Sequence, residues 1–183
     1  ATKNVIALAA GIIDGIDAGC NAKAALLTRG VVEIARLGEA LGAKASTFSG
    51  LAGVGDLVTT CISPVGRNRS AGEKIGRGMT AQEAIADTTS VIEGIATTHA
   101  VLKLAEKHGV DMPITRAVAA VLDQTASPRE AISSLMTREL TNEIAEPNQA
   151  AHEVTNPPKH GCKRDTLEGW STNLFVGEFA GHQ

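Results

Sequence analysis

The sequence predicts an all-α fold, and three observations carry that prediction. The 183 residues are 43% hydrophobic but only 2% aromatic, so the core is built from Ala, Leu, Ile and Val, with alanine favouring helix. Apolar residues recur at three- and four-residue intervals, and no stretch shows the strict alternation of a half-buried strand. Helix start and stop signals punctuate the chain at spacings that suit seven or eight helices.

Val5, Ile6, Ala9, Ile12, Ile13 and Ile16 form a broad apolar stripe, giving a first helix from Lys3 to about Asp17. Gly11 and Gly15 weaken it unless they admit a neighbouring helix or a ligand at close range. Gly19, Cys20 and Asn21 read as a turn, with Asn21 as N-cap of a second helix that runs to about Leu41 and ends at Gly42. Ser46 is expected to cap a short segment leading to Leu51.

The stretch from Leu51 to Arg69 organises the chain. Asp56 and Thr60, with Thr59, sit among Leu51, Val54, Leu57 and Val58, and a four-residue spacing puts Asp56 and Thr60 on one helix face. Ser63-Pro64 and Gly66 then break the helix and deliver Arg67, Asn68 and Arg69 in a row. Arginine after a glycine-bearing turn, at a helix start, suits a planar dianion such as phosphate. An interior Asp–Arg ion pair with capping threonines accounts for the same spacing.

Arg67 to Ile75 is expected to be helical, ending near Gly76 or Gly78. Thr80-Ala81-Gln82-Glu83 is a capping box opening a brief helix. Val91 to His108, closed by Gly109, is amphipathic, and Pro113 opens a helix to about Gln124. Ser127-Pro128-Arg129-Glu130 combines an N-cap, a proline at N1 and a capping-box glutamate for a last helix to about Arg138. Residues 1–140 therefore read as one helical domain. From Thr141 no period is sustained, so 141–183 read as an irregular, poorly ordered tail. His152, His160, Cys162 and His182 in that tail fit no metal-ligand spacing, and no metal site is expected.

The net charge of −3 argues against general nucleic-acid binding. No apolar run approaches the roughly 18 residues of a membrane span. The three cysteines, Cys20, Cys61 and Cys162, are far apart with no C-x-x-C pair, which suits a reduced, cytoplasmic protein. The opening Ala1-Thr2-Lys3-Asn4 runs straight into the first apolar stripe, as in a piece cut from a longer chain.

Together these motifs resemble the C-terminal domain of bacterial-type NAD(P)-dependent glycerol-3-phosphate dehydrogenase. Lys3-Asn4-Val5 is similar to that family's Leu-Lys-Asn motif, and Gly15 to Lys23 to its glycine-rich turn ending in Asp-Asn-Thr-Lys. Arg29-Gly30 with Glu33 follows on the next helix. Leu51 to Cys61 is similar to its Gly-Asp-Leu…Thr-Cys block, Ser63 to Arg69 to its Ser-Pro-x-Ser-Arg-Asn-Arg block, and Val91-Ile92-Glu93-Gly94 to a later cofactor-side motif. The resemblance covers Lys3 to about Arg138 in order. Thr2 stands where the family has Leu, Cys20 where it has Asp, Ala22 where it has Thr, and Gly66 where it has a Ser at the substrate. None of these falls on a charged residue to which the resemblance gives a role.

The resemblance implies a multi-helix substrate domain like the C-terminal domain of 6-phosphogluconate dehydrogenase, with a Rossmann nucleotide-binding half expected before Ala1. It implies hydride exchange between NAD or NADP and C2 of glycerol 3-phosphate or dihydroxyacetone phosphate, in the supply of glycerophospholipid synthesis. Lys3 is then the general acid/base, Asp56 orients it and bonds the substrate, and Thr60 supports them. Arg67 and Asn68 hold the substrate phosphate with Gly66 beside them, Arg67 also reaches the cofactor, and Val91 and Glu93 line the cofactor. The dinucleotide itself is expected to bind chiefly to the other half, so this chain alone is expected to be inactive. Arg69, Lys74 and Arg77 read as a solvated helix face. Two other readings stay open: a non-enzymatic helical module that dimerises or binds a phosphorylated ligand, and another two-domain hydroxy-acid or sugar-phosphate dehydrogenase.

Overall fold

The computed structural model describes residues 1–137; the expectations for the 141–183 tail, His152, His160, Cys162 and His182 lie outside the described residues. Among the described residues every regular element is helical. In chain order they are α1 (Thr2–Gly15), α2 (Gly19–Ala40), a 3-10 turn (Ala45–Thr47), a π-turn (Leu51–Gly55), α3 (Asp56–Ile62), α4 (Arg67–Gly76), α5 (Ala81–Ala86), α6 (Glu93–Lys107), α7 (Pro113–Leu122) and α8 (Pro128–Thr137).

α1 is the axis of the domain. Its residues from Asn4 to Ile13 are all buried, so the stripe read from the sequence is in fact the whole circumference. Ala7, Leu8 and Ala10, which lie between the stripe positions, are also sealed from water. α2, α3, α4, α6, α7 and α8 all pack against it, as expected of a helix apolar all round.

The closest of these contacts is with α4, and small residues permit it. A methyl group at Gly11 would lie 1.9 Å from the Arg69 carbonyl oxygen, and one at Gly15 would lie 2.3 Å from that of Glu73. In return, a methyl at Gly72 would lie 2.0 Å from the Leu8 carbonyl oxygen, and one at Gly76 2.5 Å from that of Ile12. Rising numbers on α1 meet rising numbers on α4, so the two helices run parallel. Their N-termini therefore lie at the same end of the domain. The glycines that cost α1 helix propensity are what bring α4 against it.

Caps are supplied locally where the sequence carries them. Thr80 and Glu83 form the reciprocal capping box. The Ser127 N–H donates to Glu130 Oε2 at 2.8 Å, and the Glu130 N–H donates to Ser127 Oγ at 3.3 Å. Both glutamates are held below the usual carboxylate range by those bonds. Gly42 and Gly109 take φ of +89° and +66° just past α2 and α6, as C′ glycines do. α7 borrows its cap instead. Its start is fed by Glu33 of α2, whose carboxylate accepts from the Ile114 N–H (2.8 Å), the Thr115 N–H (2.9 Å) and Thr115 Oγ1 (2.7 Å). Burial pushes the Glu33 carboxyl up, against the pull of those three bonds.

Three boundaries differ from the sequence reading. α2 begins at Gly19, and Asn21 is inside it rather than its N-cap. The chain reverses over residues 16–18 because Asp17 adopts φ +55° and the Ala18 N–H returns to the Ile13 carbonyl, so the next helix can start sooner. Ser46 lies within the 3-10 turn and makes no cap; Lys44 occupies that place. α6 starts at Glu93, with Val91 and Ile92 outside it.

Gly72→Ala should lower unfolding free energy by at least about 2 kcal/mol, because its methyl meets rigid backbone. Gly50→Ala is the control: Gly50 has φ −90° and open space around its missing Cβ, so its effect should be near neutral. Urea unfolding of both variants followed by circular dichroism checks the contrast.

Candidate functional site

The shared end of α1 and α4 gathers four helix starts. α3 brings Asp56, α4 brings Arg67, α6 brings Glu93, and α1 brings Lys3. α1, α4 and α6 bring the positive ends of their backbone dipoles together there, which favours an anion, while α3 continues directly from the π-turn and contributes its Asp56 side chain.

Lys3 Nζ donates to the Asp56 carboxylate in a direct ion pair. The two side chains are 42% and 44% exposed. A pair this open adds little to stability, so its geometry suits reaction better than scaffolding. It borders a cleft of about 230 Å³ whose walls include Val31, Ile34, Phe48 and Leu57. The π-turn delivers Asp56 to its place, and its Gly53 lies so close to Phe48 that a methyl would meet the Phe48 carbonyl oxygen at 2.1 Å. Single π-turns often mark functional sites.

Arg67 is the first residue of α4 after its N-cap Gly66. It is exposed and makes no hydrogen bond or ion pair among the described residues. Asn68 Oδ1 accepts the Gly94 N–H at 2.8 Å, and Asn4 Nδ2 donates to Glu93 Oε2 at 2.5 Å. The structure thus joins Lys3 to Asp56 directly, and ties Asn68 and Glu93 together through the first turn of α6. It does not join Thr60 to that pair: Thr60 Oγ1 donates to the Asp56 main-chain oxygen at 2.6 Å and braces the α3 backbone. Val91 stands 68% exposed just before α6.

The neighbouring cations are neutralised locally. Arg69 bonds Asp14 at 2.7 Å and approaches Glu73 at 3.3 Å, while Arg77 and Lys74 pair with Glu73 and Asp87, each at 2.5 Å. Arg67 is therefore the cation of the α4 start that has no acidic partner among the described residues. Sequence reasoning missed Asn4 and Gly94 as parts of this site. A polar residue inside an otherwise apolar stripe was the available signal for Asn4. No group of His, Cys, Asp and Glu among the described residues could hold a metal.

Cys61 is buried, and burial pushes its thiol up to about 12, whereas Cys20 is exposed. Iodoacetamide near neutral pH should label Cys20 in the folded chain and reach Cys61 only after denaturation. Peptide mapping by mass spectrometry reads this directly.

Residues 1–133 match the family model described as the NAD-dependent glycerol-3-phosphate dehydrogenase C-terminus. The chain is 55% identical over 141 residues to a glycerol-3-phosphate dehydrogenase [NAD(P)+] of Salinibacter ruber, covering 77% of this chain and 41% of that one. It is 51% identical over 145 residues to that of Janthinobacterium sp., covering 79% and 44%. A crystal structure of glycerol-3-phosphate dehydrogenase from Coxiella burnetii superposes with a TM-score of 0.72 at 43% identity, over 75% of this chain and 42% of that one. The chain thus spans less than half the length of these relatives.

Proposed function

Because the chain belongs to the NAD-dependent glycerol-3-phosphate dehydrogenase family, through its C-terminal domain, we propose that it is the substrate-binding and catalytic half of a cytoplasmic oxidoreductase. The enzyme interconverts glycerol 3-phosphate and dihydroxyacetone phosphate. The observation that supports this most is the Lys3–Asp56 pair, half open to solvent at the same helix ends that carry Arg67, which has no partner among the described residues. A proton-transfer group and an anion-binding group are what a phosphorylated ketone or alcohol needs.

In the reducing direction the Lys3 ammonium gives its proton to the C2 oxygen as that oxygen gains charge, and in the oxidising direction the neutral amine takes it back. Asp56 accepts from Lys3 Nζ and aims it. The forked guanidinium of Arg67, the free N–H groups of the α4 start and the Asn68 amide hold the phosphate. That fixes C2 relative to Lys3. Thr60 keeps the turn carrying Asp56 rigid.

The residues present fit one edge of a nicotinamide. Val91 offers an exposed apolar side chain just before α6, whose first residue is Glu93, and the Asn68–Gly94 bond ties the start of α4, which carries Arg67, to that turn. When bound, NAD or NADP supplies or accepts the hydride at C2. The described residues contain no strand-and-glycine phosphate cradle, so a dinucleotide-binding domain is the partner this half requires. Without it the chain holds substrate but does not turn it over.

Lys3→Met in the two-domain enzyme should cut kcat by about two to four orders of magnitude while leaving the helical spectrum unchanged; a loss below tenfold would remove Lys3 from the reaction. Arg67→Lys should raise KM for dihydroxyacetone phosphate far more than for unphosphorylated dihydroxyacetone, since lysine keeps the charge but not the fork. Steady-state kinetics with both ketones tests this, and equal weakening would mean that Arg67 does not hold the phosphate.

A further inference from the structure

Two side chains from different helices converge on consecutive residues of α6. Asn4, next to Lys3 on α1, donates to Glu93; Asn68, next to Arg67 on α4, accepts from the Gly94 main chain. Gly94 is buried. A methyl there would lie 2.6 Å from the Asn4 carbonyl oxygen and 3.0 Å from Asn68 Oδ1, so α6 can approach both helices only with glycine at this position.

We propose that Asn4 and Gly94 are positioning residues that clamp the first turns of α1 and α4 onto the first turn of α6. The clamp holds the proton-transfer lysine and the phosphate-holding Arg67–Asn68 pair in one fixed relation. The inference rests on the reading of the site given above.

The chemistry of each partner fixes the orientation of each amide. A carboxylate only accepts, so Asn4 must turn Nδ2 to Glu93. A main-chain N–H only donates, so Asn68 must turn Oδ1 to Gly94, which leaves its Nδ2 as a donor for an anion. Asn68 is thus preset as a phosphate donor before ligand arrives. Asn4 is 7% exposed, and a buried amide without its partner is costly. Glu93 is exposed, so the part-buried clamp ties its carboxylate, proposed above to line the cofactor, to the turn carrying Lys3.

Exchanging donor and acceptor tests the clamp. Asn4→Asp sets two carboxylates against each other, whereas Asn4→Asp combined with Glu93→Gln restores a single charge and a hydrogen bond of reversed sense. The single and double variants, with Glu93→Gln alone as reference, are assayed in the two-domain enzyme with dihydroxyacetone phosphate at saturating cofactor. Asn4→Asp should lower kcat at least about tenfold, because small displacements of reacting groups are expensive. The double variant should recover most of that loss relative to Glu93→Gln alone, with the helical spectrum unchanged throughout. Wild-type kinetics in Asn4→Asp, or losses that simply add in the double variant, would overturn the proposal.

If Asn4→Asp fails to fold, Gly94→Ala decides. It should raise KM for dihydroxyacetone phosphate at least about tenfold with the helical signal retained. An unchanged KM, or collapse of both variants, would leave these contacts merely structural and overturn the assignment. Absence of dihydroxyacetone phosphate reduction by the unmutated enzyme is a different failure: it would sink the functional reading, not the clamp.

Discussion

The backbone-to-backbone contact of α1 with α4 is the constraint on which the rest of the structure depends. Gly11 and Gly15 on one helix, and Gly72 and Gly76 on the other, leave no side chain between them. Any larger residue would push a methyl into a carbonyl oxygen on the partner helix. Because the helices run parallel, this contact brings the starts of both to one end. Lys3 and Arg67, distant in sequence, become parts of one surface. α2, α3, α6, α7 and α8 pack around α1 and close the core of Ile6, Leu8, Leu57 and Ile114 beneath that surface.

Electrostatics at the site follow from which charges are paired. Asp14, Glu73 and Asp87 absorb Arg69, Lys23, Arg77 and Lys74 along the flanks of α1 and α4. At the helix starts the balance differs. Asp56 pairs with Lys3, the neutral Asn4 amide bonds Glu93 without cancelling its charge, and Arg67 has no partner among the described residues beside the positive ends of the helix dipoles. Of the donors proposed for a dianion there, the Asn68 amide is already oriented by the Gly94 N–H, whereas the exposed Arg67 guanidinium has no such contact among the described residues.

Much of this was legible in the sequence. The capping box at Thr80 and Glu83, Pro113 at a helix start and Ser127-Pro128-Arg129-Glu130 each name their own element, because caps act within three or four residues. The spacing of Asp56 and Thr60 gave their shared helix, though the Thr60 hydroxyl turned to the backbone. The errors at Asn21, Ser46 and Val91 have one origin. Asparagine, serine and valine carry boundary preferences, but the actual boundary was set by a left-handed Asp17, a tight 3-10 turn and a non-helical Ile92 (φ −96°, ψ 89°). Two features were out of reach by periodicity. Glu33 caps a helix some eighty residues away, and Asn4 on α1 meets Glu93 at the start of α6. Such pairs depend on how helices cross, which no local pattern encodes. Gly11 and Gly15 lay between these cases: the sequence posed the question of close approach, and α4 answered it.

The central claim is that the starts of α1, α3, α4 and α6 form one anion-binding, proton-transferring half-site. Amide chemical-shift mapping of the 15N-labelled chain, titrated with glycerol 3-phosphate and separately with glycerol, tests it most directly. The account predicts perturbations from the phosphate ester concentrated at residues 3–4, 56–60, 66–69 and 92–95, with far weaker effects from glycerol. Shifts centred elsewhere, or equal responses to the two compounds, would contradict it.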